Sequence, residues 1–429
     1  MISMLDKMVG KIIYWLKPGV GIKRWCVLLG SGVLFLSVAI AIVMVRYYYT
    51  FLIESNGYLG VGLVWATVTL LLLFGIIIII YALVRLSREI IVPFAPSGRS
   101  VASVVAERRR KNRGPRIVVM GGGTGMSTML RGLKDYTSNI TAIVTMADDG
   151  GSSGKLRKDL GILPPGDLRN CIVALADDEA LLTQLFKYRF GADEGVNGHS
   201  FGNLFITAMS EVTGSFERAL AVSGQVLAIG GKVLPSTLED VTLMADIRKQ
   251  AGGTAHRVAG ESSIPREIGV IERIQLHPSD VSAHPQALKA ILSAELIVLG
   301  PGSLYTSVIP NLLVGDIASA VGNSRGLKVY VSNLATQIGE TERFSLSMHT
   351  QVINQHADES FTLVLSNNRY VGELSPDMAW VKASGDLIDG WEIIARDLVD
   401  ETRPWRHDSK KLAAALMGLL KDRSIMAVL

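Results

Sequence analysis

The sequence predicts an α/β protein: a doubly wound, mostly parallel sheet with a small insert, preceded by two transmembrane helices. Three observations carry that expectation. Two long runs without a charged residue, 25–45 and 59–84, stand near the start of the chain. After Arg116, short apolar, β-branched runs alternate with segments of helical spacing, the pattern of parallel strands joined by crossover helices. Three of those runs end in turns rich in glycine or aspartate, at Gly121, Asp148 and Gly300, and a doubly wound sheet gathers its ligands at such ends.

In chain order, residues 1–24 carry Lys7, Lys11, Lys17, Lys23 and Arg24 against a single Asp6, a short basic N-terminus. Each uncharged run is long enough to cross a hydrocarbon core of about 30 Å as a helix. Arg46 and Tyr47, Tyr48 and Tyr49 follow the first run, a cation and aromatics where a membrane interface would lie. Glu54 to Tyr58 holds a polar turn. A signal peptide explains one apolar run but not two with basic outer flanks. The connecting loop holds only Arg46 and Glu54, so the positive-inside rule places both ends and the main domain in the cytoplasm. The expected location is therefore the inner (plasma) membrane, multi-pass. Residues 85–115 include Arg108, Arg109, Arg110, Lys111 and Arg113 with Pro93 and Pro96, a basic juxtamembrane linker either resting on anionic lipid or solvated.

The domain 116–429 opens with RIVVMGGGTGMSTMLR. Ile117 to Met120 is the apolar run of a buried parallel strand. Gly121, Gly122, Gly123 and Gly125 let the backbone turn sharply and approach a ligand without Cβ interference. Thr124, Ser127 and Thr128 then stand where a helix begins, and a helix N-terminus after a glycine turn is an anion site. No Gly-Lys-Ser/Thr follows, so this is not a P-loop, nor is it a full G-x-G-x-x-G. Further strands are expected at 140–146, 268–276, 296–299, 327–331 and 361–365, with a small strand-rich excursion over 233–244. Helices are expected within 172–190, at 202–212, at 284–293 and, amphipathic, at 409–420.

Several constellations could carry chemistry. Asp148 and Asp149, followed by Gly150, Gly151, Ser152 and Ser153, admit Mg²⁺ on a substrate phosphate, hydrogen bonds from a sugar hydroxyl, or plain capping of the next helix. In the stiff turn before the next helix, Asp167, Arg169 and Asn170 offer an acid, a phosphate-gripping guanidinium and an amide, or an N-cap with a surface arginine. His199 lies between glycines at a helix start near Asn203, as a ligand contact or a structural histidine. Arg406, in Pro404-Trp405-Arg406-His407-Asp408, either reaches back to a ligand or lies on the surface. Metal spacing of the H-E-x-x-H kind is absent from the sequence, so no zinc site is expected, and no catalytic nucleophile is expected either.

The totals agree. Hydrophobic residues make up 48% of 429 and mean hydropathy is +0.33, an excess concentrated in the two apolar runs. The formal charge of +4 is more than accounted for before Arg116, so it does not argue for nucleic acid, and no nucleic-acid partner is expected. Cys26 and Cys171 are the only cysteines, too few for a disulfide framework.

Six separated motifs, in order, give the sequence a family likeness: GGGTG at Gly121, ADDGGSSG at Ala147, PPGDLRN at Pro164, GHSFGNL at Gly198, GPGSLYTSVIPNLL at Gly300 and SNLATQIGET at Ser332. Together they resemble the YvcK/GlmR gluconeogenesis factors of the CofD-like superfamily. The resemblance implies a Rossmann-like domain that binds a UDP-sugar, typically UDP-N-acetylglucosamine, and links carbon metabolism to cell-wall precursor synthesis and cell shape. It implies a regulator that contacts cell-wall precursor enzymes, compatible with a homo-oligomer and with no bound cofactor beyond the UDP-sugar and Mg²⁺. The alternative it carries is a 2-phospho-L-lactate-type transferase acting on a deazaflavin precursor with Mg²⁺, as in the CofD relatives. By position, the turn from Gly121 to Gly125 would hold phosphates. Asp148, Asp149, Ser152, Ser153, Asp167, Arg169, Asn170, His199 and Asn203 would line the pocket. Gly302, Ser303 and Tyr305 would form the opposite wall, and Arg406 would bind the nucleotide. The two membrane helices and the basic linker depart from the usual soluble pattern of that family.

Overall fold

The computed structural model describes residues 23–52, 58–91, 101–177, 179–191, 196, 198–249, 253–357, 360–383 and 390–426. The basic segment with Lys7, Lys11 and Lys17, the polar turn at 53–57 and the linker stretch 92–100 with Pro93 and Pro96 lie outside the described residues. The chain forms two compact units, Met1–Arg109 and Arg110–Leu429.

The first unit holds α1 (Lys23–Leu52) and α2 (Tyr58–Ile91). Within them Arg24–Tyr47 and Val64–Ser87, 24 residues each, are long and apolar enough to cross a membrane. The two helices pack closely because glycines meet. A Cβ on Gly32 would stand 3.1 Å from the Gly75 carbonyl oxygen, and one on Gly75 3.0 Å from that of Gly32. Ala39, Val68 and Ala82 are buried along the seam, and Phe35 meets Phe74 edge-on at 5.4 Å. Val27, Leu34 and Leu70 point outward, each more than 60% exposed, a surface suited to lipid rather than water. The helix α3 (Val101–Asn112) runs across the boundary between the units.

In the second unit β1 (Ile117–Gly121) leads through α4 (Gly123–Leu133) to β2 (Ile140–Val144). Five helices follow, α5 (Gly151–Leu160), α6 (Gly166–Leu175), α7 (Glu179–Lys187), α8 (Phe201–Thr213) and α9 (Phe216–Val226), before β3 (Lys232–Pro235). The strands β4 (Thr242–Arg248), β5 (His256–Ala259) and β6 (Val270–His277) form a separate antiparallel sheet in the order β5-β4-β6. The stretch 233–244 therefore divides between the main sheet and this insert. The chain then returns through α10 (Pro285–Ser293) and β7 (Leu296–Leu299), and continues through α11 (Gly315–Asn323) to β8 (Leu327–Val331). After α12 (Leu346–Ala357) come β9 (Leu363–Asn367) and β10 (Glu392–Arg396), a hairpin of β11 (Val399–Asp400) and β12 (Arg403–His407), and α13 (Ser409–Met426).

The main sheet has seven strands in the order β10-β9-β8-β7-β1-β2-β3, and every neighbouring pair is parallel. Every residue of β1, β7 and β9 is buried, as expected of strands covered on both faces. The order reverses between β1 and β7, where Val119 pairs with Val298 on one side and Ala142 on the other. That reversal opens a crevice beyond the carboxyl ends of β1 and β7, where the Gly121 and Gly300 turns lie. At the back of α4, a Cβ on Gly132 would stand 2.8 Å from Ala413 Cβ, so this glycine lets α13 dock against α4.

Candidate functional site

The glycine turn is shaped by what crowds it. Gly122 is extended and Gly123, with φ 65°, starts α4. A Cβ on Gly122 would stand 2.6 Å from Asp167 Oδ2, and one on Gly125 2.6 Å from the Pro301 carbonyl oxygen. The first α4 amide is taken from within the protein: Gly123 N–H donates to Asp167 Oδ2 at 2.7 Å. The N-terminus of α4 thus faces the Asp167 turn on one side and the Gly300 turn on the other. No side chain caps α4, α5 or α6 from its own N-cap position.

Beside it, Asp148 Oδ1 accepts the Gly150 N–H at 2.9 Å. Burial holds the Asp148 carboxyl above its ordinary range, against the pull of Gly150 and Ser153 hydrogen bonds. Asp167 is pushed up to about 6, first by burial and then by the charge of Asp148. Glu261, on the insert, is raised further, to about 8, by burial and by Asp148, Asp167 and Asp149. Asp149 itself turns toward the insert, where its Oδ1 accepts the Ser262 N–H at 2.8 Å. Opposite the acids stands Arg169, whose Nη1 donates to Ser200 Oγ at 2.7 Å and Asn203 Oδ1 at 2.8 Å, and Nη2 to Asn170 Oδ1 at 3.0 Å. Asn203 Nδ2 donates to Ser152 Oγ at 3.0 Å, and Ser152 Oγ also meets His199 Nδ1 at 3.0 Å. His199 therefore acts on the rim through Ser152.

Three recesses share this rim. One of about 230 Å³ is lined by Asp148, Gly150, Ser152, Ser153, Asp167, Arg169, Asn170 and Asn203. A second, of about 220 Å³, is lined by Gly123, Thr124, Gly125, Gly302, Ser303 and Arg406, with Gln337 Nε2 donating to Ser303 Oγ at 3.0 Å. The third, of about 710 Å³, meets the first at Arg169 and Asn170 and the second at Thr124, Thr128 and Arg406. Gly121, Gly122, Asp149, His199 and Tyr305 line none of the three. Tyr305 is 3% exposed; its N–H donates to Glu340 Oε2 at 3.1 Å, and its ring meets Phe344 edge-on. It supports the Gly300 turn from behind rather than forming the wall expected of it.

The largest recess adds cations that the sequence did not single out. Arg131, Lys187 and Arg403 line it with Arg406, and Lys187 is held below its ordinary range by partial burial and by Arg131, Arg169 and Arg406. Arg131 and Lys134 are paired with Glu179. Among the described residues no group of three or more His, Cys, Asp or Glu is arranged to hold a metal ion. Two carboxylates, Asp148 and Asp167, still suit Mg²⁺ that takes its remaining ligands from water and a substrate phosphate. Both carboxyls are raised first by burial and then by a neighbouring carboxylate, Asp149 for Asp148 and Asp148 for Asp167, and a bound cation would favour their charged forms.

Fold and site define a parallel α/β protein with a rim of glycine turns, acids and arginines at the switch point of its sheet. The family model for 2-phospho-L-lactate transferase CofD matches residues 117–423, and the chain belongs to that family, among the gluconeogenesis factors. The gluconeogenesis factor of Bacillus subtilis is 41% identical over 318 residues, covering 72% of this chain and 99% of its own. A relative from Nostoc is 44% identical over 421 residues, covering 94% of this chain and 91% of its own. That match leaves about 6% of this chain uncovered, so it extends into the region of the two apolar helices. The crystal structure of BH3568 from Bacillus halodurans, 41% identical, superposes with a TM-score of 0.67 over 71% of this chain and 100% of its own.

Proposed function

We propose that the protein is a membrane-tethered regulator that binds a nucleoside diphosphate sugar, UDP-N-acetylglucosamine or a close relative, at the switch-point rim. The observation that carries this reading is the meeting of the α4 N-terminus, Arg406 and the Asp148–Asp167 pair around one set of adjoining recesses. The α4 amides and Arg406 suit the diphosphate, Asp148 and Asp167 suit Mg²⁺ upon it, and Asn170, Ser152 and Asn203 suit sugar hydroxyls. In this reading the two apolar helices hold the rim at the cytoplasmic face of the plasma membrane, within reach of enzymes that make cell-wall precursors. Liganded and empty rims would present different surfaces to such partners. Titration calorimetry on residues 110–429 with UDP-N-acetylglucosamine and Mg²⁺ should show saturable binding without turnover. Absence of any uridine nucleotide binding would sink the proposal.

One observation favours a second reading. Asp148 and Asp167 are carboxyls raised by burial beside an open recess, the setting in which Mg²⁺ assists attack by a hydroxyl on an activated phosphate. The corresponding activity is a 2-phospho-L-lactate-type transfer to a deazaflavin precursor. Product formed from activated nucleotide, Mg²⁺ and that precursor would decide for the enzyme.

A further inference from the structure

The end of the helical hairpin where α1 begins and α2 nears its close carries a cluster that nucleotide binding does not use. Arg24 lies with its guanidinium 5.0 Å from the centre of the Trp25 ring, and Arg85, from the other helix, lies 5.6 Å from the same centre. Arg85 also lies 5.5 Å from the Tyr81 ring, and its Nε donates to Tyr81 Oη at 3.2 Å. Trp25 and Tyr81 meet edge-on at 5.9 Å, which ties the two helices together at this level. Two like charges from different helices are thus brought to one indole and held there by cation–π contacts.

We propose that this cluster is a binding site for the phosphodiester headgroup of an anionic glycerophospholipid. It rests on the reading that the hairpin spans a membrane. The apolar stretches Arg24–Tyr47 and Val64–Ser87 set the depth: Arg24 opens one and Arg85 falls in the last turn of the other, so both guanidiniums stand at headgroup level on one face of the bilayer. Both are exposed, and Arg85 has no carboxylate partner among the described residues. Among the described residues the Trp25 N–H is buried without an acceptor, so the outward-facing donors of the cluster are the guanidiniums. A phosphodiester supplies negative charge to Arg85 and acceptor oxygens to exposed guanidinium N–H groups. A zwitterionic headgroup would bring its own ammonium against the guanidiniums, which is why the site favours an anionic lipid.

The test uses the full chain in nanodiscs of phosphatidylcholine with a minor fraction of phosphatidylglycerol, released and weighed by native mass spectrometry. Retained phosphatidylglycerol should be enriched over its share of the bilayer, and R24Q/R85Q should lower that enrichment about tenfold. R46Q, at the opposite end of α1, should leave it unchanged. Equal enrichment in R24Q/R85Q would overturn the site and assign the lipid to diffuse attraction by the basic residues near Arg108. Loss of the retained lipid to excess inorganic phosphate would reassign the cluster to a soluble anion and overturn the lipid. Failure of the chain to enter nanodiscs would overturn the membrane reading itself, whereas entry without enrichment would overturn only the headgroup site.

Discussion

Asp167 Oδ2 accepts the N–H of Gly123 at 2.7 Å, joining two turns that lie 44 residues apart in the sequence. The carboxylate occupies the position of an N-cap for α4 but comes from the start of α6, so one bond fixes the glycine turn against the acid turn. The same oxygen is what a side chain at Gly122 would strike. Geometry of the rim and charge of the rim therefore meet in one residue.

Gly122→Ala should weaken ligand binding while Gly121→Ala spares it. The Cβ at Gly122 stands 2.6 Å from Asp167 Oδ2, so the carboxylate must leave Gly123. At Gly121 the nearest atom is the sulfur of Met126 at 3.7 Å, an ordinary contact. Calorimetry with UDP-N-acetylglucosamine should show a loss of about tenfold or more for the first variant, the equivalent of one charge-assisted hydrogen bond. Equal affinities for the two variants would show that the Asp167–Gly123 bond does not shape the site.

The acid cluster makes stability depend on pH with a definite sign. The folded-state pKa of Asp167, about 6, lies above its ordinary 3.8, so the fold favours the neutral carboxyl. Its stabilising contribution is complete below the unfolded value and is lost as pH rises through about 6. Asp148 and Glu261 are raised too and act in the same direction. Asp167→Asn keeps an oxygen for Gly123 but cannot ionise. Residues 110–429 carrying it should melt a few °C above the parent at pH 8, a gap that shrinks toward pH 5. Scanning calorimetry at both values checks this, and a gap independent of pH would refute it.

Much of the sheet is legible in the sequence because its strands are buried on both faces. The runs 296–299 and 327–331 match β7 and β8 to the residue: the first is apolar and buried throughout, and the second is broken only by Lys328 near its less buried start. Edge and satellite elements are not legible in the same way. In β10 only the middle of Glu392–Arg396 is apolar, and β12, Arg403–His407, contains Pro404 and two arginines. Those strands are defined by their partners. The glycine turns announce a site because close approach needs a missing side chain, as at Gly122 and Gly125. Glu261 had no such signal: it becomes part of the acid cluster only when the insert folds back over Asp149. Lys187 and Arg131 read as ordinary surface charges on their own helices, and only packing reveals the shared recess. Conversely, the family resemblance implied a wall at Tyr305, whose side chain is buried behind the Gly300 turn and lines none of the three recesses.

Arg406 separates binding from folding. Its side chain is exposed at the junction of two recesses. Arg406→Ala should leave the melting temperature of residues 110–429 nearly unchanged, as for most surface substitutions. Affinity for the UDP-sugar should fall about tenfold or more, the scale of a lost guanidinium–phosphate contact. Retained affinity would place the diphosphate away from β12 and move the nucleotide toward the Asp148 side of the rim.

Arg169 should behave in the opposite way, because its work is done inside the protein. One planar fork holds Ser200, Asn203 and Asn170 and thereby ties α6 to the start of α8. Burial, then Arg189, holds its pKa below the ordinary value, so the charge is kept there at a cost that the three acceptors offset. Lysine has the charge but not the fork, and its single ammonium cannot reproduce bonds that leave from two nitrogens. Arg169→Lys should therefore cost about 2–3 kcal/mol of stability in denaturant titration, before any ligand is added. It should also loosen Ser152 through Asn203. An unchanged unfolding midpoint would mean that α6 and α8 are held by their apolar contacts alone, and that Arg169 is free to serve the ligand.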